Sequence, residues 1–221
     1  MKYLLSTVLS LILFSCSIQK KESKNRIMQL QEQLKVTSEI LFEENNIVND
    51  FLQIELTSEK YKSMENLEIV LIEEAKNRIA NLDAYEYAYK NWHSYNLATP
   101  DDNARLGWIL DSIQIRELRN NYKNEDEYHW KSSDIKNYKV TIMKHDSLTN
   151  IIKSGSYTEK PEKLILYISR PLIINKNNAF ISFASGSSRF GFGEITHLTL
   201  LMKKVNGKWI EGSGYDDGVF H

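Results

Sequence analysis

Residues 194–214, EITHLTLLMKKVNGKWIEGSG, decide the fold class of the second half of the chain. In this stretch, two strand-like runs flank the dipeptide Asn206-Gly207. Asn-Gly between two such runs is the strongest short-range signal of a β-hairpin, because both central residues of the tight turn need a positive φ. The stretch therefore predicts two antiparallel strands joined by a two-residue turn.

Three further strand-like runs precede this hairpin. They are KVTIMK at 139–144, EKLILYISRPLII at 162–174 and AFISFAS at 179–185. The asparagine-rich stretch NKNN at 175–178 separates the last two runs, which is a second hairpin signal. We therefore expect residues 138–221 to form an antiparallel sheet of about five strands.

The first half of the chain is predicted to be helical. Gly107 is the single glycine before residue 150, and glycine disfavours helix interiors. An apolar pattern with 3-4 spacing begins at Ile27 and predicts a helix of up to about eight turns. Thr37 and Glu44 interrupt its apolar stripe. The stripe favours packing on the next helix, and pairing with a partner chain is the alternative.

Two more helices are expected before the sheet. The second covers roughly residues 58–95. The third has Thr99 as its N-cap and Pro100 at its first position, and it runs to about Asn120. Residues 120–137 are polar with aromatic inserts, which indicates a connecting segment with short helix.

An aromatic stripe marks the end of the second predicted helix. Tyr85, Tyr89 and Trp92 lie at i, i+4 and i+7 and share one helix face. A stripe of this kind is more often part of the core than of a ligand site. With residues 27–137 as a helical region and 138–221 as the sheet, the predicted fold class is α+β, with about three helices against one face of the sheet.

The N-terminal residues have the pattern of an export signal. Lys2 is followed by an uncharged, mainly apolar run from Tyr3 to Ser15. This run is shorter than the roughly 20 residues that a membrane-spanning helix needs. A polar stretch at 17–26 follows at once, so residues 1–15 are interpreted as a removable leader rather than a permanent anchor.

Leu13-Phe14-Ser15-Cys16 resembles the lipobox of bacterial lipoproteins, and Cys16 is the single cysteine of the chain. The resemblance implies cleavage before Cys16, a diacylglycerol on its sulfur, and localisation in the cell envelope on a membrane. Residues 16–26 would then be the lipidated cysteine and a polar tether. The alternative is an ordinary signal peptide in which this cysteine occurs by chance.

The charge balance limits the kinds of partner. The 28 basic and 29 acidic side chains nearly cancel, whereas nucleic-acid binding calls for a strongly basic face. A nucleic-acid partner is therefore not expected. The membrane, through the lipid anchor, is the partner that the sequence predicts, and a protein or small-molecule partner is left open.

Three short pieces in the second half resemble a group of uncharacterised lipoproteins and exported proteins of Bacteroidetes-type bacteria. The group shares a tryptophan and a Ser-Asp pair before a strand, a Ser-Arg-Pro or Ser-Lys-Pro that opens a hairpin, and a final Asn-Gly hairpin. The resemblance covers roughly 128–212 and implies the exported location and the sheet, but no activity. The matching positions are Trp130, Ser133, Asp134, Ser169, Arg170, Pro171, Asn206, Gly207 and Trp209.

The sequence contains no assembled catalytic or metal-binding motif. Glu194 and His197 are three residues apart, so on a strand they point to opposite faces and cannot share a metal. Gly186 and Gly191 have phosphate-loop spacing, but Phe192 stands where the lysine is needed. Neither a metal nor a cofactor is therefore expected.

Two hypotheses for the function remain. The first is a non-catalytic binding or interaction module of the envelope, one form of which is an immunity protein against an envelope-acting toxin. The second is an envelope hydrolase whose site assembles from Asp134, His145, Arg189 and His197. Under the first hypothesis, the candidate ligand-binding residues are Arg189, His197 and Asp134. Arg189 lies in the glycine-rich segment and would contact an anionic ligand from there.

Overall fold

The structure is a computed structural model and describes residues 32–62, 67–94, 108–155, 162–188 and 194–216. The predicted leader, Cys16 and the tether lie outside these residues. The chain divides into two units, residues 1–43 and 44–221. Residues 32–56 are helical (helix α1), and residues 32–43 are the described part of the first unit. The sheet and the site belong to the second unit.

The second unit mixes helices and strands before it ends in five consecutive strands. After α1, its elements are a 3-10 turn at Glu59–Tyr61, strand β1 (Glu68–Ile72), helix α2 (Arg78–Ser94), helix α3 (Ser112–Tyr122), a 3-10 turn at Ser132–Asp134, strand β2 (Val140–Met143), helix α4 (His145–Ser154), and strands β3 (Lys163–Ile168), β4 (Leu172–Asn175), β5 (Asn178–Ser187), β6 (Glu194–Val205) and β7 (Lys208–Tyr215). The predicted α+β class is confirmed.

The seven described strands form one mixed sheet. Its order is β2-β1-β3-β5-β6-β7, and β4 pairs with β5 beside the end of β3. Strand β1 is parallel to both β2 and β3, and the other pairs are antiparallel. The sheet is therefore larger than the predicted one and has a parallel half that the sequence patterns did not indicate.

The predicted second helix is wrong over its first half. Residues 68–72 form β1, and helix begins only at Arg78. Ile69, Val70 and Ile72 are β-branched, and such side chains pack well on a sheet and lose rotamer freedom in a helix. Val70 to Ile72 are buried, because β1 lies between two neighbouring strands with elements on both faces.

Both predicted hairpins are confirmed. Strands β6 and β7 pair on either side of Asn206 and Gly207, whose φ values are 52° and 82°. Two positive φ values are what the two-residue turn requires, which explains Asn followed by Gly. Strands β4 and β5 pair across the asparagine-rich turn, with Asn175 opposite Asn178.

The two faces of the sheet bury different helices. One face packs against α1 through Ile47, Val48, Phe51 and Leu52. On the opposite face, α2 and α3 cover one part of the sheet. Helix α4 covers the part formed by β1 and β3 through Leu148. The expectation that the helices lie on one face is therefore wrong, since both faces are covered.

Of the described residues in the predicted third helix, 108–111 are not helical, and helix α3 covers Ser112–Tyr122. It starts at Ser112, where Asp111 is the N-cap and accepts hydrogen bonds from the Ile113 and Gln114 amides, both at 2.9 Å. The Gln114 side chain in turn accepts from the Asp111 N–H at 2.9 Å, which completes a capping box. The predicted cap at Thr99 and Pro100 lies outside the described residues.

The aromatic stripe is part of the core, as expected, where the structure describes it. Tyr85 is buried among Tyr89, Trp108, Phe180 and Tyr215, with ring centroids 4.9–6.2 Å apart. The side chain of Trp92 lies outside the described part of the chain.

Candidate binding cleft

A cleft lies beyond the carboxyl ends of the parallel strands β1 and β3. The chain leaving β1 pairs on one side with His129, through a bridge to Glu74, and on the other with Ser169, through a bridge to Lys76. In open sheets with parallel strands, ligands bind beyond these carboxyl ends. The cleft measures about 190 Å³ and is lined by Ala75, Lys76, Asn77, Glu125, Asp126, Glu127, Tyr128 and Arg170.

Two arginines and two glutamates form an ion network beside the cleft. Arg78 bonds Glu44 through Nη2 and Glu125 through Nη1. Arg170 bonds the same two carboxylates, through Nε to Glu44 at 3.0 Å and through Nη1 to Glu125 at 2.9 Å. Each carboxylate therefore bridges two guanidinium groups, and the formal charges of the four side chains cancel.

Each member of the network comes from a different part of the fold. Glu44 lies on α1, Arg78 is the first residue of α2, Glu125 follows α3, and Arg170 lies between β3 and β4. Glu44 is 1% exposed and Arg78 is 6% exposed. Buried charges are tolerated only when they are paired and hydrogen-bonded, so the network fixes these four segments relative to one another.

Each of the three guanidinium nitrogens of Arg78 donates a hydrogen bond. Besides its two carboxylates, its Nε donates to the Pro171 carbonyl at 2.9 Å. The face of the group lies over the Tyr122 ring, with 5.0 Å from Cζ to the ring centroid. This saturation is typical of a structural arginine.

Arg170 has a different environment. Its side chain is about one-fifth exposed, lines the cleft and lies over the Tyr128 ring at 5.0 Å. Its backbone is held on both sides: its N–H donates to the Lys76 carbonyl at 2.8 Å, and its carbonyl accepts from Asn81 Nδ2 at 3.1 Å. A fixed guanidinium at the edge of a cleft can take part in recognition as well as in packing.

Tyr128 links the cleft to Asp134. Its hydroxyl donates to Asp134 Oδ2 at 3.1 Å, and the same oxygen accepts from the Lys131 N–H at 2.9 Å. Burial, followed by the charge of Asp134, raises the pKa of Tyr128 to about 12, so its hydroxyl stays a donor at neutral pH. Asp134 is buried and holds the 3-10 turn that follows Trp130.

A band of carboxylates and histidines borders the cleft near Glu74. His129 lies between Glu73 and Glu127, at 3.2 and 3.5 Å. Glu74 accepts the backbone N–H of His145 at 2.9 Å. Burial by itself would raise the pKa of Glu74, but this hydrogen bond and the two nearby histidines together lower it.

The residues predicted for a site lie on different sides of the sheet. Asp134 is on the α1 side, where its carbonyl accepts from Asn49 Nδ2 at 2.8 Å. His197 shares a face with Leu201, against α2, because successive side chains of β6 alternate. His145 begins α4 on that same opposite side, with its Nδ1 3.0 Å from the Tyr167 hydroxyl. Arg189 and Cys16 lie outside the described residues.

The structure thus brings His145 and His197 to one face but does not bring Asp134 to them. Tyr167 and His197 lie in one row of the sheet, with Ala184 of β5 between them. Two strand spacings separate their backbones, about 10 Å. Neither histidine nor Asp134 lines the cleft.

Within the described ranges, no group of three His, Cys, Asp or Glu side chains is arranged to hold a metal ion. The same part of the chain contains no helix that is long and apolar enough to cross a membrane. Comparison of the chain with models of protein families, with curated proteins and with solved structures finds no match.

The sequence analysis did not predict this cleft, although it singled out two residues of the ion network, Glu44 and Arg170. Glu44 occupies an apolar position of an amphipathic helix, and a charge at such a position needs a buried partner. Arg170 belongs to the sequence Ser169-Arg170-Pro171, which was predicted to open a hairpin and not to line a binding site. No local pattern connected either residue to Arg78 or Glu125.

Proposed function

We propose that this protein is a bacterial lipoprotein of the cell envelope, anchored to a membrane through lipid on Cys16. Its folded domain is a binding module rather than an enzyme, and the cleft beyond β1 and β3 is the surface through which it binds. The observation that carries the anchor is Leu13-Phe14-Ser15-Cys16, placed between an apolar run and a polar tether.

The physics of lipid anchoring supports a stable attachment. Each buried methylene contributes about 0.8 kcal/mol, and a single acyl chain holds a protein only reversibly. The diacylglycerol that a lipobox cysteine receives has two chains, which exceeds this limit. The folded domain would then sit beside the membrane at the end of the tether at 17–26.

The arrangement of side chains supports binding over catalysis. Asp134, the buried carboxylate among the hydrolase candidates, makes two hydrogen bonds that stabilise a turn. Its separation from His145 and His197 speaks against a shared proton-transfer site, which needs groups within hydrogen-bond reach. The cleft, in contrast, has a polar wall with a fixed arginine, as a recognition site requires.

The anchor is tested by expressing the full chain in a bacterium that processes lipoproteins and feeding the cells an alkyne analogue of palmitate. We expect the protein to carry the label and to sediment with membranes. Cys16→Ser should abolish both, because no other thiol exists to accept lipid. Ser15→Ala is the matched control, since it keeps a small residue before the cysteine and should still be labelled. Labelling that persists in Cys16→Ser would disprove the anchor.

A further inference from the structure

The first described turns of helix α1 carry an apolar face that is open to solvent. Among residues 32–43, Leu34 is 70% exposed, Val36 is 49% exposed and Ile40 is 43% exposed. At about 100° per helical residue, these three side chains and Leu41 fall within one arc of about 160°. Exposed apolar side chains that cluster on one surface mark a protein or membrane interaction site. These four residues define the apolar face of α1.

We propose that the apolar face of α1 lies on the surface of a lipid bilayer, as an interfacial helix beside the lipid anchor. This inference rests on the proposed anchor, because the anchor brings the helix next to a bilayer. Residues 17–31 separate Cys16 from the helix, and an extended chain of that length spans at most about 50 Å. A short tether gives an effective concentration on the order of millimolar, so a weak intrinsic affinity is enough.

The polar side chains of residues 32–43 are arranged as an interfacial helix requires. The four charged ones lie on the side opposite the apolar face, within about 80° of one another. They are Glu32, Lys35, Glu39 and Glu43. This separation lets the charges stay in water while the apolar face contacts lipid.

Two uncharged polar residues fall inside the apolar arc, and neither opposes contact with lipid strongly. The Thr37 hydroxyl donates to the Gln33 carbonyl at 2.8 Å, so its proton is already bonded within the helix. A bonded hydroxyl costs much less to remove from water than an unbonded one. The Gln33 side chain is the second, and an interfacial helix sinks only to the headgroup boundary, where an amide finds hydrogen-bond partners.

The sequence before the helix favours a bilayer that contains anionic lipid. Residues 17–31 contain four basic side chains and one acidic side chain, a net charge of +3. Basic residues beside an anchor are attracted to anionic headgroups within about a Debye length of the surface. The acidic side chains of the helix face away from the lipid. The tether and the apolar face therefore favour the same surface.

A second copy of the chain fits the apolar face less well than a bilayer does. Two paired helices share a narrow stripe of apolar residues at alternating three- and four-residue spacing. From Leu34 this register passes through Thr37 and Glu44, and Glu44 is buried in the ion network. Val36 and Ile40 lie outside the register and would stay exposed in such a pair.

The test places one fluorescent probe on the lipidated full chain in vesicles of phosphatidylethanolamine and phosphatidylglycerol. Cys16 is the single cysteine and would carry lipid, so one introduced cysteine provides the labelling site. An environment-sensitive NBD probe on Ile40→Cys should show blue-shifted emission and lose intensity when doxyl-labelled lipid is added. Glu39→Cys places the probe one residue away on the charged side; it is the matched control and should show neither change.

Three results would overturn the proposal. The first is equal emission and equal quenching at positions 39 and 40. The second is a blue shift at position 40 without quenching by doxyl-labelled lipid, because a protein surface such as a second copy would then cover the face. The third is unchanged quenching at position 40 in Leu34→Asp, since a charge within the face should keep the helix out of lipid.

The anchor and the apolar face can fail separately. Labelling with the palmitate analogue reports the anchor, and the difference between positions 39 and 40 reports the face. A lipid-labelled chain with equal probes would remove the face alone. The same probes are also placed in Cys16→Ser, which has no lipid. If the wild type takes no lipid label but the probes in Cys16→Ser still differ on added vesicles, the anchor alone is wrong.

Discussion

Glu44 shows how one side chain can define a region of the fold. It lies on α1 one turn before Ile47 and Val48, which pack on the sheet, yet it is a carboxylate and almost fully buried. Its two oxygens bond different arginines, Arg78 through one and Arg170 through the other. The desolvation of this charge is offset only because both partners are present.

Replacing Glu44 by glutamine should therefore destabilise the protein strongly. Glu44→Gln keeps the shape and a hydrogen-bond acceptor, but it leaves Arg78 and Arg170 with only Glu125 to balance two positive charges. We expect the free energy of unfolding to fall by about 3 kcal/mol, the scale of breaking a buried ion pair. Urea denaturation monitored by circular dichroism measures this loss.

Glu39→Gln is the control on the same helix. Its carboxylate is two-thirds exposed and pairs with Lys35 at 3.8 Å, and exposed pairs of this kind contribute at most about 1 kcal/mol. Its unfolding free energy should stay within about 0.5 kcal/mol of the wild type. Equal midpoints for Glu44→Gln and Glu39→Gln would refute the role assigned to the network.

At the scale of elements, Tyr85 joins α2 to the segment that leads into α3. Its hydroxyl donates to the Leu110 carbonyl at 3.0 Å and accepts from the Leu110 N–H at 2.9 Å. Leu110 directly precedes Asp111, the N-cap of α3. One side chain of α2 therefore satisfies both backbone groups at the point where the next helix is positioned.

The burial of Tyr85 predicts how the stability of the protein depends on alkaline pH. Burial raises the pKa of Tyr85 from 10.0 to about 12 in the folded state. A raised pKa means that the folded state holds the proton more tightly, so this contribution is full below pH 10 and is lost as pH rises through 12. A shift of this size corresponds to about 2–3 kcal/mol over that window.

The measurement compares unfolding free energies of the wild type and Tyr85→Phe at several pH values between 9 and 12. Tyr85→Phe should be less stable at pH 9, because the Leu110 N–H loses its partner, but its stability should fall less steeply above pH 10. Tyr87→Phe removes an exposed tyrosine of the same helix and should keep the slope of the wild type. Parallel curves for the wild type and Tyr85→Phe would contradict the prediction.

The parts of the fold that were predictable from sequence depend on local signals. Asn206 and Gly207 identify their hairpin because the turn itself demands positive φ at both positions. Strand β1 carries a weaker signal: its β-branched residues favour a strand, but a short apolar run such as IVLI can also belong to a buried helix. Its true partners, β2 and β3, are 70 and more residues away in the chain.

The cleft was less predictable than the fold for the same reason. Glu44 and Arg170 are 126 positions apart, and Arg78 and Glu125 are 47 apart. Their meeting depends on the parallel pairing of β1 with β3, which places the segments after both strands side by side. The pattern of one helix identifies a charge at an apolar position as unusual, but it does not identify the distant charge that pairs with it.

On the scale of the whole molecule, the strands of the sheet differ in how deeply they are buried and in how many neighbouring strands they pair with. Strand β5 pairs with β3, β4 and β6, and its residues from Ala179 to Ser187 are buried beneath helices on both faces. Strand β2 has four residues, pairs only with β1 in the described sheet, and has no fully buried residue. Local opening is easiest where few buried contacts must be broken.

Native-state hydrogen exchange should therefore rank the strands by position. We expect the amides of β5 to exchange only through global unfolding, and those of β2 through openings that cost at least about 2 kcal/mol less. Strand β1 is the internal control, because it pairs with β2 but is buried from Val70 to Ile72, and those of its amides that donate to β3 should follow the amides of β5. If β2 exchanged as slowly as β5, the parallel edge would belong to the same cooperative unit as the antiparallel centre. Fast exchange confined to β2 would instead mean that β1 and β3, whose carboxyl ends border the cleft, stay in place while the edge opens.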